Sequence, residues 1–361
     1  MEPLIPFGIC SKFQKSHLFV GLPEEKESED LPDKDNANFT GDERAEEIEI
    51  SEEDQKAFEK FMPEDPSKRA TLADIIKDKL TEKQTELQTV FSDTGNLSGA
   101  ELEKVTDLYK GVGKVLSKYR SGKIPLAFKT LPRFRNWEQL IYLTEPDNWT
   151  AATMFQATRI FCNQSSDVAQ RFYNLILLPR LRDDIAECKR LNDHLYRALK
   201  KALFKTSAFY KGLILPLCES GNCTLREATI FGSIISKCTI PILHSSAALL
   251  MISQLPYNGA NSIFMRVLIE KKYSLPYPVI DGVVEYFLKF KDDDRQLPLQ
   301  WHQCLLTFVR IYKNDLCLEQ QQELLHLLTV QNHHHVTPEI RKELLQAILR
   351  DRKPSKPIDI N

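Results

Sequence analysis

Basic side chains are the residues of this chain whose type and spacing suggest chemistry most clearly. The segment 179–204 is predicted to be one helix, because its apolar residues fall within a stripe roughly 100° wide at 100° per residue. Lysine and arginine neutralise polyanions and release their counterions. The pattern predicts a helix docked on a core with a basic band beside the apolar stripe. That band contains Arg182, Lys189, Arg190, Arg197, Lys200 and Lys201.

A second basic group lies in residues 118–135, a segment predicted to be an extended connector broken by two prolines. Basic side chains there alternate with Tyr119, Phe128 and Phe134, and such alternation suits RNA, whose bases stack on aromatic rings. A connector laid over its own domain is the plainer interpretation. The basic residues of this segment are Lys118, Arg120, Lys123, Arg133 and Arg135.

The overall charge of −2 conceals two unlike parts. Residues 1–70 hold 19 acidic and 9 basic residues, a net charge of −10, whereas residues 71–361 have a net charge of +8. Residues 22–66 are rich in Glu, Asp, Pro and Ser, and such a segment buries too little apolar surface to offset the cost of ordering. The sequence therefore predicts a mostly disordered acidic arm over residues 1–70, ahead of a mildly basic folded body.

From Trp137 onward, helical segments with apolar residues at i, i+3 and i+4 alternate with short turns. Thr224 and Glu227 form a capping-box pattern, and Gly221 is suited to a helix C-terminus. We expect an all-α, irregular HEAT-like helical-repeat domain (α-solenoid) over 136–352, after a helical and basic connector region over 71–135 and before a flexible tail over 353–361. The predicted helices lie at about 136–144, 149–162, 166–178, 179–204, 207–219, 224–237, 241–254, 260–273, 278–291, 298–313, 318–330 and 338–350.

The sequence nominates no catalytic group. It lacks the P-loop, Rossmann, nucleophile-elbow and zinc-protease motifs, so we expect neither an enzyme nor a cofactor. The eight cysteines include no C-x-x-C pair, which indicates reduced intracellular thiols and no metal site. His333 to His335 precede a predicted helix and are expected to form an exposed turn. No apolar run is long enough to cross a bilayer, so membrane insertion is not expected.

Long stretches of the chain closely resemble the bystin family. They include TLADIIKDKLTEKQTE at 71–86, VLSKYRSGKIPLAFK at 115–129 and AQRFYNLILLPRLRDDIAECKRLNDHLYRALKKALFK at 169–205. They continue through LPLCESGNCTLREATIFGSIISKC at 215–238 and LQWHQCLLTFVRIYK at 299–313. The resemblance covers about residues 50–350, which is nearly everything outside the first arm.

This resemblance implies a non-enzymatic ribosome-biogenesis factor that binds pre-40S particles and supports small-subunit rRNA processing and maturation. Its partners would be the small-subunit pre-rRNA, ribosomal proteins and other assembly factors, in the nucleus, the nucleolus and then the cytoplasm. The family is also linked to cell adhesion, which leaves open a protein-binding adaptor in a trophinin–tastin-type complex near cytokeratin. Neither role brings a catalytic motif with it.

One departure from the family concerns the start of the chain. Family members usually begin with a Lys/Arg-rich segment ahead of the acidic stretch, whereas this chain opens with MEPLIPFGICSKFQKSHLFVG. No Lys/Arg cluster suited to nuclear import precedes residue 100. We therefore expect this start not to support nuclear entry by itself, while binding by the helical domain is left intact.

Overall fold

The computed structural model describes residues 70–79, 99–293 and 295–351. Within these ranges the chain is entirely helical and contains no strand, so the all-α prediction is confirmed. The predicted acidic arm up to residue 69, residues 80–98 of the predicted helical and basic connector region, and the predicted tail lie outside the described residues.

The first described helix, α1 (72–79), is short and docks on the folded body. Thr71 and Asp74 cap it reciprocally, because each backbone N–H donates to the side chain of the other residue, at 3.1 and 3.2 Å. Leu72 and Ile76 are buried. The backbone N–H of Leu72 donates to a carboxylate oxygen of Asp183 at 2.8 Å, which ties α1 to a helix more than one hundred residues away.

The elements before the repeats are α2 (Gly99–Leu116), α3 (Leu126–Thr130), a 3-10 turn (Leu131–Arg133), α4 (Trp137–Tyr142) and a second 3-10 turn (Pro146–Asn148). The repeats begin with α5 (Ala151–Cys162), α6 (Ser166–Phe172), α7 (Leu178–Cys188), α8 (Asp193–Ala202), α9 (Thr206–Phe209), α10 (Leu215–Glu219) and α11 (Leu225–Lys237). They continue with α12 (Ile242–Gln254), α13 (Gly259–Glu270), α14 (Tyr277–Leu288), a 3-10 turn (Lys289–Asp292), α15 (Leu299–Tyr312), α16 (Leu318–Val330) and α17 (Thr337–Asp351).

The repeats form two layers of helices. In the first layer α5 packs on α8, and α11, α13, α15 and α17 pack side by side in that order. In the second layer the helical stretch 166–188 packs on the stretch 206–219, and α12, α14 and α16 follow in sequence. Helices two apart in the chain are thus neighbours in space, which is the arrangement of an α-solenoid. The predicted irregular helical-repeat fold is confirmed.

The connector 118–135 is not extended as predicted. It contains α3 and a 3-10 turn because its aromatic side chains anchor it to the core. Phe128 is fully buried and meets Trp149 edge-on at 5.3 Å, while the Tyr119 hydroxyl donates to the Gly122 carbonyl oxygen at 2.7 Å. The connector therefore lies over its own domain, as the plainer interpretation held.

Two π-helical turns, Tyr173–Leu177 and Tyr210–Ile214, interrupt the second layer. Each begins at the tyrosine of a Phe-Tyr pair and is followed by a Leu-Pro pair, so FYNLILLP at 172–179 matches FYKGLILP at 209–216. Proline lacks an N–H and clashes with the carbonyl four residues earlier, and the extra residue of a wide turn relieves both conflicts. The helix consequently runs through Pro179 and Pro216 without breaking.

The prediction of a single helix at 179–204 is wrong. Helical structure is continuous from Ser166 through Pro179 to Cys188, so the proline does not begin a helix. The chain then breaks at Lys189, which has a left-handed φ of 56°. Asn192 starts α8 anew, because its side chain accepts from the His194 N–H at 3.0 Å. The predicted helix at 166–178 continues to Cys188, and the other predicted repeat helices are present with bounds that differ by a few residues.

Gly212, in the second π turn, packs closely against the preceding repeat. This close approach leads to a prediction about stability. A Cβ added at Gly212 would lie 2.7 Å from the backbone carbonyl oxygen of Gln170, so Gly212→Ala should destabilise the fold by about 1–3 kcal/mol. At Gly111 on α2 nothing lies within 4 Å, and Gly111→Ala should stabilise by roughly 0.5–1 kcal/mol. Urea unfolding followed by circular dichroism measures both; equal effects of the two substitutions would contradict the close approach.

Candidate nucleic-acid interface

The structure separates the predicted basic residues by exposure. Arg182 is buried, Lys201 is half-buried, and the remaining ones are exposed. The exposed set contains Lys118, Arg120, Lys123, Arg133, Arg135, Lys189, Arg190, Arg197 and Lys200. Exposure alone does not make a site, so their positions relative to one another decide which of them can act together.

Arg182 is part of the core and not of a basic surface, which corrects its assignment to the phosphate-facing band. Its guanidinium donates to both carboxylate oxygens of Glu227, the shorter distance being 2.9 Å from Nε. It also donates to the side chain and the carbonyl oxygen of Asn222, at 2.8 and 3.0 Å. Glu227 in turn accepts from the N–H of Thr224 at 2.8 Å and so completes the predicted capping box of α11. The amphipathic pattern of residues 179–204 could not reveal this pairing, because Glu227 lies 45 residues away.

Loss of this buried ion pair should be costly. Arg182→Met leaves the Glu227 carboxylate buried without its main cation, and we expect a loss of about 3–5 kcal/mol in the free energy of unfolding. Lys200→Met, in which an exposed lysine receives the same replacement, should change it by less than about 0.5 kcal/mol. Chemical denaturation of both variants measures the difference. Similar values for the two would show that the pair is not a structural element.

Lys189 and Arg190 lie in the turn between α7 and α8, and Arg226 of α11 reaches this turn. The Arg226 guanidinium donates to the Lys189 carbonyl oxygen at 2.8 Å, so a third basic residue joins the pair. This turn precedes the first residue of α8, whereas Lys200 and Lys201 lie in its last turn. A helix of ten residues is about 15 Å long. The predicted single basic band is therefore two separate groups.

The exposed face of α8 carries the second group. Leu195, Ala198, Leu199 and Ala202 are buried on the opposite face. Arg197 forms an ion pair with Asp193 at 3.0 Å, as the i, i+4 spacing allows. Phe204, one turn beyond Lys200, is 54% exposed, and the Lys201 ammonium lies 5.1 Å from the centre of its ring. This cation–π interaction places a basic group directly over an accessible aromatic face.

Two further basic residues, Arg159 and Lys205, lie at the same end of α8. Burial raises the pKa of the Cys162 thiol, while the nearby charges of Lys201, Lys205 and Arg159 act in the opposite direction. Cys162 is the last residue of α5, and α5 packs along α8. The C-terminal ends of the two helices are therefore adjacent, and three cations surround them.

The turn at 133–135 reaches the same end of α5. The Trp137 N–H donates to the Phe134 carbonyl oxygen at 3.2 Å, and the Trp137 ring contacts the Phe161 ring at 5.1 Å between centroids. Phe134 itself is 49% exposed, between two exposed arginines. We use the name aromatic basic patch for these two groups at the C-terminal end of α5; it consists of Arg133, Phe134, Arg135, Arg159, Lys200, Lys201, Phe204 and Lys205.

Part of this clustering has a structural explanation. Cations at helix C-termini interact favourably with the helix dipole, and both α5 and α8 end here. The dipole does not, however, account for Phe134 and Phe204, because an apolar ring gains nothing from exposure to water. The two exposed rings are what distinguishes this surface from ordinary helix ends. Sequence reasoning missed Arg159, Phe204 and Lys205, whose grouping depends on the packing of α5 on α8.

The remaining predicted residues lie away from the patch. Lys118, Arg120 and Lys123 flank Tyr119, whose carbonyl oxygen accepts from the Thr150 hydroxyl at 2.7 Å. Thr150 is the N-terminal cap of α5, so these residues lie at the opposite end of that helix. With 12 residues α5 is about 18 Å long. The connector thus divides between both ends of α5, and its aromatic residues other than Phe134 are buried.

Comparison with known proteins identifies the family. The family model described as Bystin matches residues 66–354. The chain belongs to the bystin family. Bystin from Bos taurus is 59% identical over 307 residues, covering 84% of this chain and 71% of that protein. Bystin from Homo sapiens is also 59% identical over 307 residues, covering 84% and 70%. Bystin from Arabidopsis thaliana is 47% identical over 312 residues, covering 86% and 69%.

The match to the bystin family spans all the helices described above. Both groups that form the aromatic basic patch, residues 133–135 and the ends of α5 and α8, lie inside it. In the described part of the chain, no cluster of three or more potential metal ligands occurs. Among the same residues, no helix combines the length and apolar character that a bilayer span requires.

Proposed function

We propose that this chain is a non-enzymatic ribosome-biogenesis factor that binds small-subunit precursor RNA through the aromatic basic patch. The observation that carries the proposal is the exposure of Phe134 and Phe204 among six basic residues at one end of the array. Single-stranded nucleic acid is bound by this combination of groups, since phosphates pair with cations and unstacked bases lie on aromatic rings. Membership of the bystin family supports the ribosomal context.

The particle proposed as its target is the pre-40S subunit, where the chain would support rRNA processing and maturation beside ribosomal proteins and other assembly factors. This role would take place first in the nucleus and nucleolus and then in the cytoplasm. A rigid array of packed helices suits this role, because binding of pre-rRNA needs a surface of fixed shape and no catalytic group that moves. We assign to the buried Arg182–Glu227 ion pair a structural role in keeping the array rigid, and no role in RNA binding.

Charge reversal in the patch should weaken RNA binding and lower its salt dependence. In the triple variant Arg135→Glu, Lys200→Glu, Lys205→Glu, the slope of log Kobs against log salt should fall by about 0.7–0.9 for each phosphate that is no longer neutralised. Binding to a small-subunit precursor RNA fragment is measured across a salt series, and co-sedimentation with precursor particles is measured in cells.

The matched control is Arg341→Glu, Lys342→Glu, Arg350→Glu on α17, which changes the net charge by the same amount at exposed positions elsewhere. It should leave affinity and slope nearly unchanged. An equal reduction of affinity in both triple variants would mean that only the overall charge matters, and the patch would then be rejected as the interface.

The two phenylalanines should contribute by stacking and not by charge. Phe134→Ala and Phe204→Ala should each lower affinity for single-stranded precursor RNA by about 1–3 kcal/mol per stacked base while the salt slope stays constant. Leu349→Ala removes a side chain that is 61% exposed on α17 and serves as the control for removal of an exposed apolar group. Unchanged binding in both phenylalanine variants would count against base stacking.

A protein-binding adaptor, including a trophinin–tastin-type adhesion complex, is separated from this proposal by ribonuclease digestion. RNA-dependent association with large assemblies should disappear when the RNA is digested completely. Association that survives digestion, and that the patch variants leave intact, would favour the adaptor.

A further inference from the structure

The turns that lead from first-layer to second-layer helices form one edge of the array. The first-layer helices α11, α13 and α15 pack side by side, and so do the second-layer helices α12, α14 and α16. The turns that connect each first-layer helix to the next second-layer helix are therefore neighbours in space. Three such turns lead directly into α12, α14 and α16.

Each of these three helices begins with a large apolar side chain exposed to solvent. The exposed fractions are 47% and 52% for Ile242 and Leu243, 70% for Tyr277 and 44% for Leu318. A single exposed apolar residue is normal, but a row of neighbouring ones marks an interaction surface. None of these side chains is needed for the core, which the opposite faces of the same helices supply. We call this set the apolar row.

Hydrogen bonds between successive turns hold the apolar row in fixed register. The Tyr273 hydroxyl donates to the Ile240 carbonyl oxygen at 2.8 Å, and the Tyr312 hydroxyl donates to the Tyr273 carbonyl oxygen at 2.7 Å. The Gln320 side-chain amide donates to Asp281 at 2.7 Å and so links the N-terminal parts of α16 and α14. Adjacent packed helices lie about 8–10 Å apart, and this spacing separates successive members of the row.

The spacing matches one kind of partner. Seven residues of an α-helix advance about 10.5 Å, so a helix with one large apolar residue in every heptad presents a side chain to each turn. The exposed carboxylates of Asp281, Asp315 and Glu319 lie beside Tyr277 and Leu318. They favour lysine and arginine at that end of a bound helix, whereas Lys237, Lys271 and Lys272 lie toward the Ile242 end. Within the row, only Tyr277 offers a ring for base stacking.

We propose that the apolar row binds an amphipathic helix of a partner protein, whose large apolar residues recur every seven positions and which carries basic residues where it meets Asp281, Asp315 and Glu319. This surface consists of residues other than those of the aromatic basic patch, and the proposal goes beyond RNA binding. It gives the array a protein-recognition edge in addition to a nucleic-acid surface. Because the turns are already hydrogen-bonded to one another, the row needs no rearrangement to receive the helix.

A synthetic helical peptide of about three heptads, with leucine at every seventh position and lysine beside it, is the probe. Its fluorescence anisotropy is titrated with the full chain and with the variant Leu243→Ser, Tyr277→Ser, Leu318→Ser. The variant should bind at least tenfold more weakly. The control variant Leu108→Ser, Val115→Ser, Leu349→Ser also removes three exposed apolar residues and should bind as the wild type does.

Two comparison peptides test the chemistry. One has the same composition with irregular leucine spacing, and the other has glutamate in place of lysine; both should bind the wild type at least tenfold more weakly. The proposal is overturned if no binding of the heptad peptide is detected, if the two triple variants bind it equally, or if either comparison peptide binds as well. Displacement of the peptide by single-stranded RNA would assign the row to nucleic acid instead. Circular dichroism confirms that each variant is folded.

Discussion

The buried ion pair between Arg182 and Glu227 is the interaction on which the two parts of the array depend. Arg182 belongs to a second-layer helix before the turn at 220–224, and Glu227 belongs to the first-layer helix after it. Asn222 in that turn accepts from the same guanidinium, and the Asn258 side chain donates to the Gly221 carbonyl oxygen at 2.8 Å. One network thus joins the helices before the turn to those after it. Its charges are tolerated inside the protein because each is hydrogen-bonded several times.

A second constraint is the regular attachment of each turn to the next one. The hydroxyls of Tyr273 and Tyr312 reach back to carbonyl oxygens 33 and 39 residues earlier. The Lys271 ammonium likewise donates to two carbonyl oxygens near the end of α11, both at 2.6 Å. Such hydrogen bonds fix the separation of the repeats, so surfaces that span several repeats keep their geometry. The apolar row has this property.

The two surfaces differ in what they can recognise. The patch lies at the C-terminal ends of α5 and α8, and the row lies at the N-termini of α12, α14 and α16. At the patch, cations surround accessible rings, which suits a flexible polyanion with planar bases. At the row, aliphatic groups repeat at the helix spacing beside carboxylates, which suits an apolar helix face. The proposed binding of both RNA and a protein helix needs both kinds of surface.

The sequence alone determined the all-α fold, the repeat organisation and most helix bounds, because amphipathic periodicity and capping residues act within a few positions. It also determined the bystin family. Tertiary structure decided the rest. A π turn allows the helix to continue through Pro179, and the left-handed conformation of Lys189 ends that helix. The carboxylate of Glu227, 45 residues away, holds Arg182 in the core. Packing of α5 on α8 brought Arg159, Lys201 and Lys205 together. Such groupings depend on interactions between distant residues, which no local pattern encodes.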